Sequence, residues 1–187
     1  MRIDVKLTFK ILLIFIICIA IIPQTFRAII YPKNYNKYVQ EAAKTFSLDE
    51  HLIYSIIKIE SNFDKNAIST KGAKGLMQIM DATSLEMNSR VSKVIDASYN
   101  VKKDIYMPEL NILLGSAYLK QLMTKYNNNY KLVLAAYNAG MGNVDKWIKE
   151  KTIDITKDNF YETIPFKETK EYVIKGIRTR NMYDFLY

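Results

Sequence analysis

The sequence predicts a mainly α-helical single domain over residues 35–187, behind an N-terminal apolar signal or anchor helix and short linker in residues 1–34. Apolar residues recur at helical spacing along most of the chain, and strand-like alternation is weak. After Pro32 the composition stays even, with no Ser/Gly-rich linker, repeat or low-complexity block. A chain of 187 residues has room for one domain of ordinary size plus a short extension.

The extension comes first. Arg2, Lys6 and Lys10 precede an unbroken apolar run over 11–22, the layout of a secretory signal or a signal anchor. The run is shorter than the roughly 20 residues that span a bilayer, but it resumes after Pro23 with only Gln24, Thr25 and Arg27 interrupting it. No small-x-small cleavage site follows cleanly, which favours an uncleaved anchor with the domain outside; cleavage is the alternative. Either way the domain is exported. Cys18, the only cysteine, lies inside the run, so the domain has no disulfide, and Ile16 and Ile17 before it argue against a lipoprotein.

Helical periodicity places the first domain helix at 38–46 and the second at 48–63, where Ser47 and Glu50 have capping-box spacing. Gly72 and Gly75 punctuate the polar stretch that follows Asn62, and Asp81 stands as an N-cap for a helix at 82–87. Residues 86–101 are polar and read as a long surface loop. Pro108 suits the first turn of a helix at 109–126. Helices at 130–138, 144–150 and 169–183 follow, the first ended by Asn138, Gly140 and Gly142.

Within the second helix an acid interrupts a greasy stripe. At roughly 100° per residue, Ile53, Ile56 and Ile57 share a face with Glu60. A carboxyl in apolar surroundings favours its neutral form, so its pKa should rise, and an acid still protonated near neutral pH can protonate a leaving group. The plain alternative is a half-buried glutamate paired with a Lys or Arg.

Four stretches decide between them: Glu60-Ser61-Asn62-Phe63, Gly75-Leu76-Met77-Gln78-Ile79-Met80, Ala136-Tyr137-Asn138-Ala139-Gly140, and 164–173 from Ile164-Pro165 to Tyr172-Val173. In this order they resemble the signature of soluble-type (SLT domain) peptidoglycan lytic transglycosylases, over nearly everything after the N-terminal segment. The resemblance extends to Asn66, Ala67, Ile68, Ser69, Gly72 and Ala73, and to Asn111, Gly115, Tyr118 and Leu119. It implies a lysozyme-like helical domain that cuts glycan strands between N-acetylmuramic acid (MurNAc) and N-acetylglucosamine (GlcNAc). It implies a 1,6-anhydro-MurNAc product, no water consumed and no cofactor or metal. One glutamate then acts as acid and afterwards as base, and Glu60 matches it.

The same resemblance assigns substrate-binding positions. Ser69 matches a serine near the scissile bond, though it also suits an ordinary turn. Gln78 and Met80 match groove-lining residues, with Met77 and Met80 equally usable as core filler. Tyr137 matches a tyrosine that hydrogen-bonds near the acid, and Asn138 doubles as a helix-ending residue. Glu168 and Tyr172 match cleft positions; Glu168 also suits a helix start facing the macrodipole. Two departures stand out. Asp81 replaces a common proline and is expected to cap the next helix, and Lys170 replaces a common arginine, leaving open how Glu168 is held.

Hydrolysis is the nearest rival chemistry, and it calls for a second carboxylate about 5 to 9.5 Å from the acid. Asp64 is the nearest in sequence and reads better as a turn residue. A wall-binding or assembly module without turnover is the rival from another class. His51, the one histidine, points roughly 180° from Glu60. It reads as a surface residue, so no metal or Ser/Cys-His arrangement is assembled. No phosphate loop follows Gly72 or Gly75. The formal charge is +8, and setting aside residues 1–32 leaves 23 basic against 18 acidic residues. That excess suits an anionic envelope polymer and lacks the concentrated stripe nucleic acid requires. The expected partners are peptidoglycan strands and, through the N-terminal segment, the membrane, with the domain monomeric and on the extracytoplasmic side. The 14 Tyr, 8 Phe and single Trp are compatible with a sugar-holding groove, although most such rings belong to cores.

Overall fold

A computed structural model describes residues 27–94 and 99–187, together with Lys10, Phe15 and Thr25. The 11–22 run on which the anchor reading rests lies outside the described residues apart from Phe15. Among the described residues no helix is long and apolar enough to cross a membrane. They fall into two compact units, and the one comprising Tyr35–Phe185 with Tyr187 carries everything that follows.

That unit is helical throughout. Its elements are α1 (Asn36–Phe46), α2 (Glu50–Ser61), α3 (Asp81–Val91), α4 (Val101–Asp104), α5 (Pro108–Lys125), α6 (Tyr130–Ala139), α7 (Met141–Lys149), a single 3₁₀ turn (Phe160–Thr163) and α8 (Lys167–Leu186). Isolated bridges between Ile68 and Lys74 and between Lys74 and Ile79 are the only extended pairing among the described residues. They fold the chain between α2 and α3 into a tight double turn.

The centre of the fold is α5. Every residue from Leu110 to Ala117 is buried, the pattern of a helix enclosed on all sides, and α1, α3 and α6 pack against it. Gly115 lets one of those approaches happen: a Cβ there would lie 2.4 Å from Met77 Sδ. Gly176 does the same for α8, where a Cβ would meet Leu134 Cδ1 at 2.9 Å. Stacking of Tyr183 on Tyr54, centroids 5.3 Å apart, and Arg180 to Asp49 at 2.8 Å fasten α8 to α2.

Local chemistry moves several expected boundaries. Ser47 does not open α2; it closes α1 in a left-handed conformation with φ 50, and the cap is Asp49, whose carboxylate accepts from the His51 N–H at 2.9 Å. Asp81 is the first residue of α3 rather than its cap, and its carboxylate is committed to Lys74 Nζ at 2.6 Å. The polar stretch after Glu86 continues α3 to Val91, and α4 begins at its far end with Val101, so the expected loop is shortened mainly from its N-terminal side. Gly142 lies inside α7; Gly140, with φ 85, makes the break between α6 and α7.

Candidate active site

Glu60 lies in the last turn of α2, on the side that carries Ile53, Ile56 and Ile57, each fully buried. Burial pushes its carboxyl up to about 7. The Tyr172 hydroxyl donates to Glu60 Oε1 at 2.6 Å and pulls the other way, because it favours the ionised form. The charge of Glu168 raises the value further, and that of Lys175 lowers it. The result is an acid whose two protonation states are both reached near neutral pH.

Local structure fixes the carboxyl's neighbours. Asn62 and Phe63 both take left-handed conformations, φ 49 and 68, so α2 ends sharply at Ser61. An aromatic side chain with positive φ is uncommon, and Phe63 is held there by burial. Ser61 Oγ donates to the Leu76 carbonyl at 2.8 Å, tying the helix end to the strip 75–80. On the far side of the strip, buried Asn111 accepts from the Met77 N–H at 2.8 Å and donates to the carbonyls of Lys74 and Ile105 at 3.0 and 2.9 Å. Gly75 is required beneath it, with φ 75 and no room for a Cβ beside Asn111 Nδ2.

Of the residues singled out from sequence, Tyr172 meets Glu60 directly. Tyr137 does not; its hydroxyl donates to the Met77 carbonyl at 2.9 Å, bracing the strip, while its ring lies within electrostatic reach of Glu60. Gln78, Met80, Tyr137 and Asn138 line one pocket together with Tyr118 and Gly140. The Gln78 amide nitrogen donates to the carbonyls of Ala67 and Gly75 at 3.1 and 2.9 Å, and Met80 is 43% exposed, a lining residue rather than core. Asn138, inside the last turn of α6, accepts from Thr169 Oγ1 at 2.7 Å. Ser69 Oγ accepts from the Ala73 N–H at 3.0 Å, the turn use of a serine. Exposed Glu168 is 3.7 Å from Lys71 Nζ, and Lys170 turns instead to the Glu162 carbonyl at 3.1 Å.

Asp64 accepts from the Asn66 N–H at 2.9 Å and is spent on a turn. Among the described residues Glu168 is the only other carboxylate whose charge bears on Glu60. His51 sits between Glu50 and Asp184. Among the described residues no three His, Cys, Asp or Glu side chains gather as metal ligands do. Two contributors had no role in the sequence reading: Ser61, quoted only as part of the stretch that begins with the acid, and Lys175. The second was findable, since it follows Tyr172 by three residues and so shares its side of α8.

The fold and site together define a helical domain built around one largely buried glutamate with a raised pKa, held by a tyrosine hydroxyl. Residues 37–160 match the Transglycosylase SLT domain, and the chain belongs to that family. The soluble lytic murein transglycosylase of Escherichia coli K12 is 32% identical over 143 residues, 76% of this chain and 22% of that protein. The membrane-bound lytic murein transglycosylase C of Photorhabdus laumondii is 31% identical over 165 residues, 76% of this chain and 45% of its own length. An inactive glutamate-to-glutamine mutant of the lytic transglycosylase Slt from Pseudomonas aeruginosa superposes with a TM-score of 0.75 at 33% identity, covering 85% of this chain and 25% of that one. The chain thus spans about a quarter of the length of the soluble relatives it matches.

Proposed function

We propose that this chain is a peptidoglycan lytic transglycosylase that cleaves the β-1,4 bond between MurNAc and GlcNAc and leaves 1,6-anhydro-MurNAc ends. The observation that carries the reading is Glu60 itself, an acid raised to about 7; among the described residues the one other carboxylate whose charge bears on it, Glu168, is exposed and faces Lys71. Tyr172 occupies Oε1, so the proton resides on Oε2. Glu60 gives that proton to the glycosidic oxygen as the C1–O bond breaks. The resulting carboxylate removes the proton of the muramoyl 6-hydroxyl, whose oxygen closes onto C1. Atoms balance without water, and Glu60 ends protonated as it began. In the Slt relative a glutamate-to-glutamine change gives an inactive enzyme, which supports a single essential acid.

The groove residues take substrate roles in this proposal. Gln78, Met80, Tyr137 and Asn138 contact the glycan from the strip and the end of α6, Ser69 and Glu168 contribute from the rim, and Tyr172 orients the acid. The enzyme acts as a monomer on the extracytoplasmic side, held to the membrane by the apolar run over 11–22; relatives bearing both soluble and membrane-bound names fit either fate of that segment.

Product analysis tests the chemistry. Mass spectrometry of sacculi digested by the wild-type chain is expected to show anhydro-muramoyl termini, and Glu60→Gln is expected to release at least about a hundredfold less. Reducing termini alone would identify a muramidase, binding without turnover a wall-binding module, and full activity in Glu60→Gln a different catalytic residue.

A further inference from the structure

Two pockets open around Glu60. One lies between the strip, through Gln78 and Met80, and the end of α6, through Asn138, which Thr169 at the start of α8 bonds at 2.7 Å. The other lies between Glu60 and Ala67 on one side and Lys175 and Thr179 of α8 on the other. Lys71 and Glu168 join those same two sides. Glu168 stands one turn before Tyr172, hence on the side of α8 that meets Glu60, and its charge is felt there. Lys71 stands at the tip of a turn closed by the Gly72 N–H on the Ser69 carbonyl at 2.9 Å and the Ser69 N–H on the Ala73 carbonyl at 3.0 Å. The backbone of Lys71 is thus fixed while its side chain, 78% exposed, reaches across to Glu168 Oε2 at 3.7 Å. Neither group makes another hydrogen bond or ion pair among the described residues. The other cations of the first turn of α8 are committed elsewhere, Lys167 to Glu171 at 3.8 Å and Lys170 to the Glu162 carbonyl at 3.1 Å.

We propose that the Lys71–Glu168 pair is an ionic strap across the cleft, closed in the free chain and parted by a glycan strand that reaches from one pocket to the other past Glu60. The inference rests on the proposed activity. An exposed pair at this distance is weak enough to open, and shifts an equilibrium by no more than about fivefold. That cost is met on binding and not in the chemical step, so it enters KM and leaves kcat alone. Parting the pair also frees the Glu168 carboxylate for the strand. Lys71 touches neither the acid nor the reacting bond; it sets how readily the cleft admits its substrate.

Kinetics of the full chain on soluble, uncrosslinked peptidoglycan strands, at low and high ionic strength, test the strap. Lys71→Met is expected to lower KM about two- to fivefold at low salt with kcat unchanged. The gap between the two proteins is expected to close at about 1 M salt, where the Debye length falls to about 3 Å. Lys71→Arg restores a cation and is expected to stay with wild type. An unchanged or raised KM in Lys71→Met, a gap indifferent to salt, or an arginine variant that behaves like the methionine one overturns the strap. Calorimetric binding of the same strands to Glu60→Gln and to Glu60→Gln/Lys71→Met reads the gap without turnover. A Lys71-dependent gap in binding with no anhydro products would reject the activity and retain the strap; anhydro products without the gap would do the reverse.

Discussion

Glu60 owes its pKa to opposed neighbours, and each can be removed singly. Tyr172→Phe deletes a donor that favours the carboxylate, so the Glu60 pKa rises and the descending alkaline limb of kcat/KM moves above about 7. Glu168→Gln deletes a like charge, so the same limb moves to lower pH. Opposite shifts in the two pH profiles are expected, with Tyr172→Phe also losing roughly tenfold in kcat because Oε1 is no longer held; shifts in one direction would dissociate these residues from the acid. The acid was legible in the sequence because a stripe of period 3.6 exposes any polar intruder. Its donor was legible only by resemblance, since nothing local links positions 112 residues apart. For Tyr137 the family motif gave the neighbourhood without the acceptor: the hydroxyl donates to the Met77 carbonyl, next to the Leu76 carbonyl that accepts from Ser61.

Among the elements, the strip 75–80 is the one the site depends on, and three helices hold it: α2 through Ser61, α5 through Asn111 and α6 through Tyr137. Asn111→Ala leaves a buried N–H and two carbonyls short of a partner, and a loss of about 2–4 kcal/mol in urea-monitored stability is expected. Gly115→Ala forces a Cβ to within 2.8 Å of Met77 Cβ and is expected to cost about 1–3 kcal/mol by overpacking. Activity should fall further than stability explains in both, because the strip shifts against Glu60; unchanged specific activity in the folded fraction would separate strip from site. Helix positions were readable from periodicity, whereas their ends were not. Capping depends on which of Ser47 and Asp49 reaches an N–H, and both are good caps by residue type. The polar segment after Glu86 extends α3 to Val91 because tertiary packing of Met87 and Val91 overrides its weak helical pattern.

Across the whole molecule the raised Glu60 pKa is also a term in stability. The unfolded carboxyl titrates near 4.5 and the folded one near 7, so the folded state binds the proton more tightly between them. The contribution is intact below about 4.5, declines as pH rises and is gone above about 7. Glu60→Gln, which cannot ionise, is therefore expected to gain about 1–3 kcal/mol on wild type at pH 8 and little at pH 4. Thermal melts at the two pH values check this; equal differences would mean the carboxyl is not desolvated in the folded chain.

The family match ends at residue 160, and Tyr172 and Lys175 lie beyond it on α8. During synthesis the ribosome therefore delivers the acid more than a hundred residues before the hydroxyl that steadies it. A nascent chain, or one clipped ahead of α8, carries Glu60 without its donor. The donor's contribution to the Glu60 pKa is thus supplied only once α8 has docked against α2.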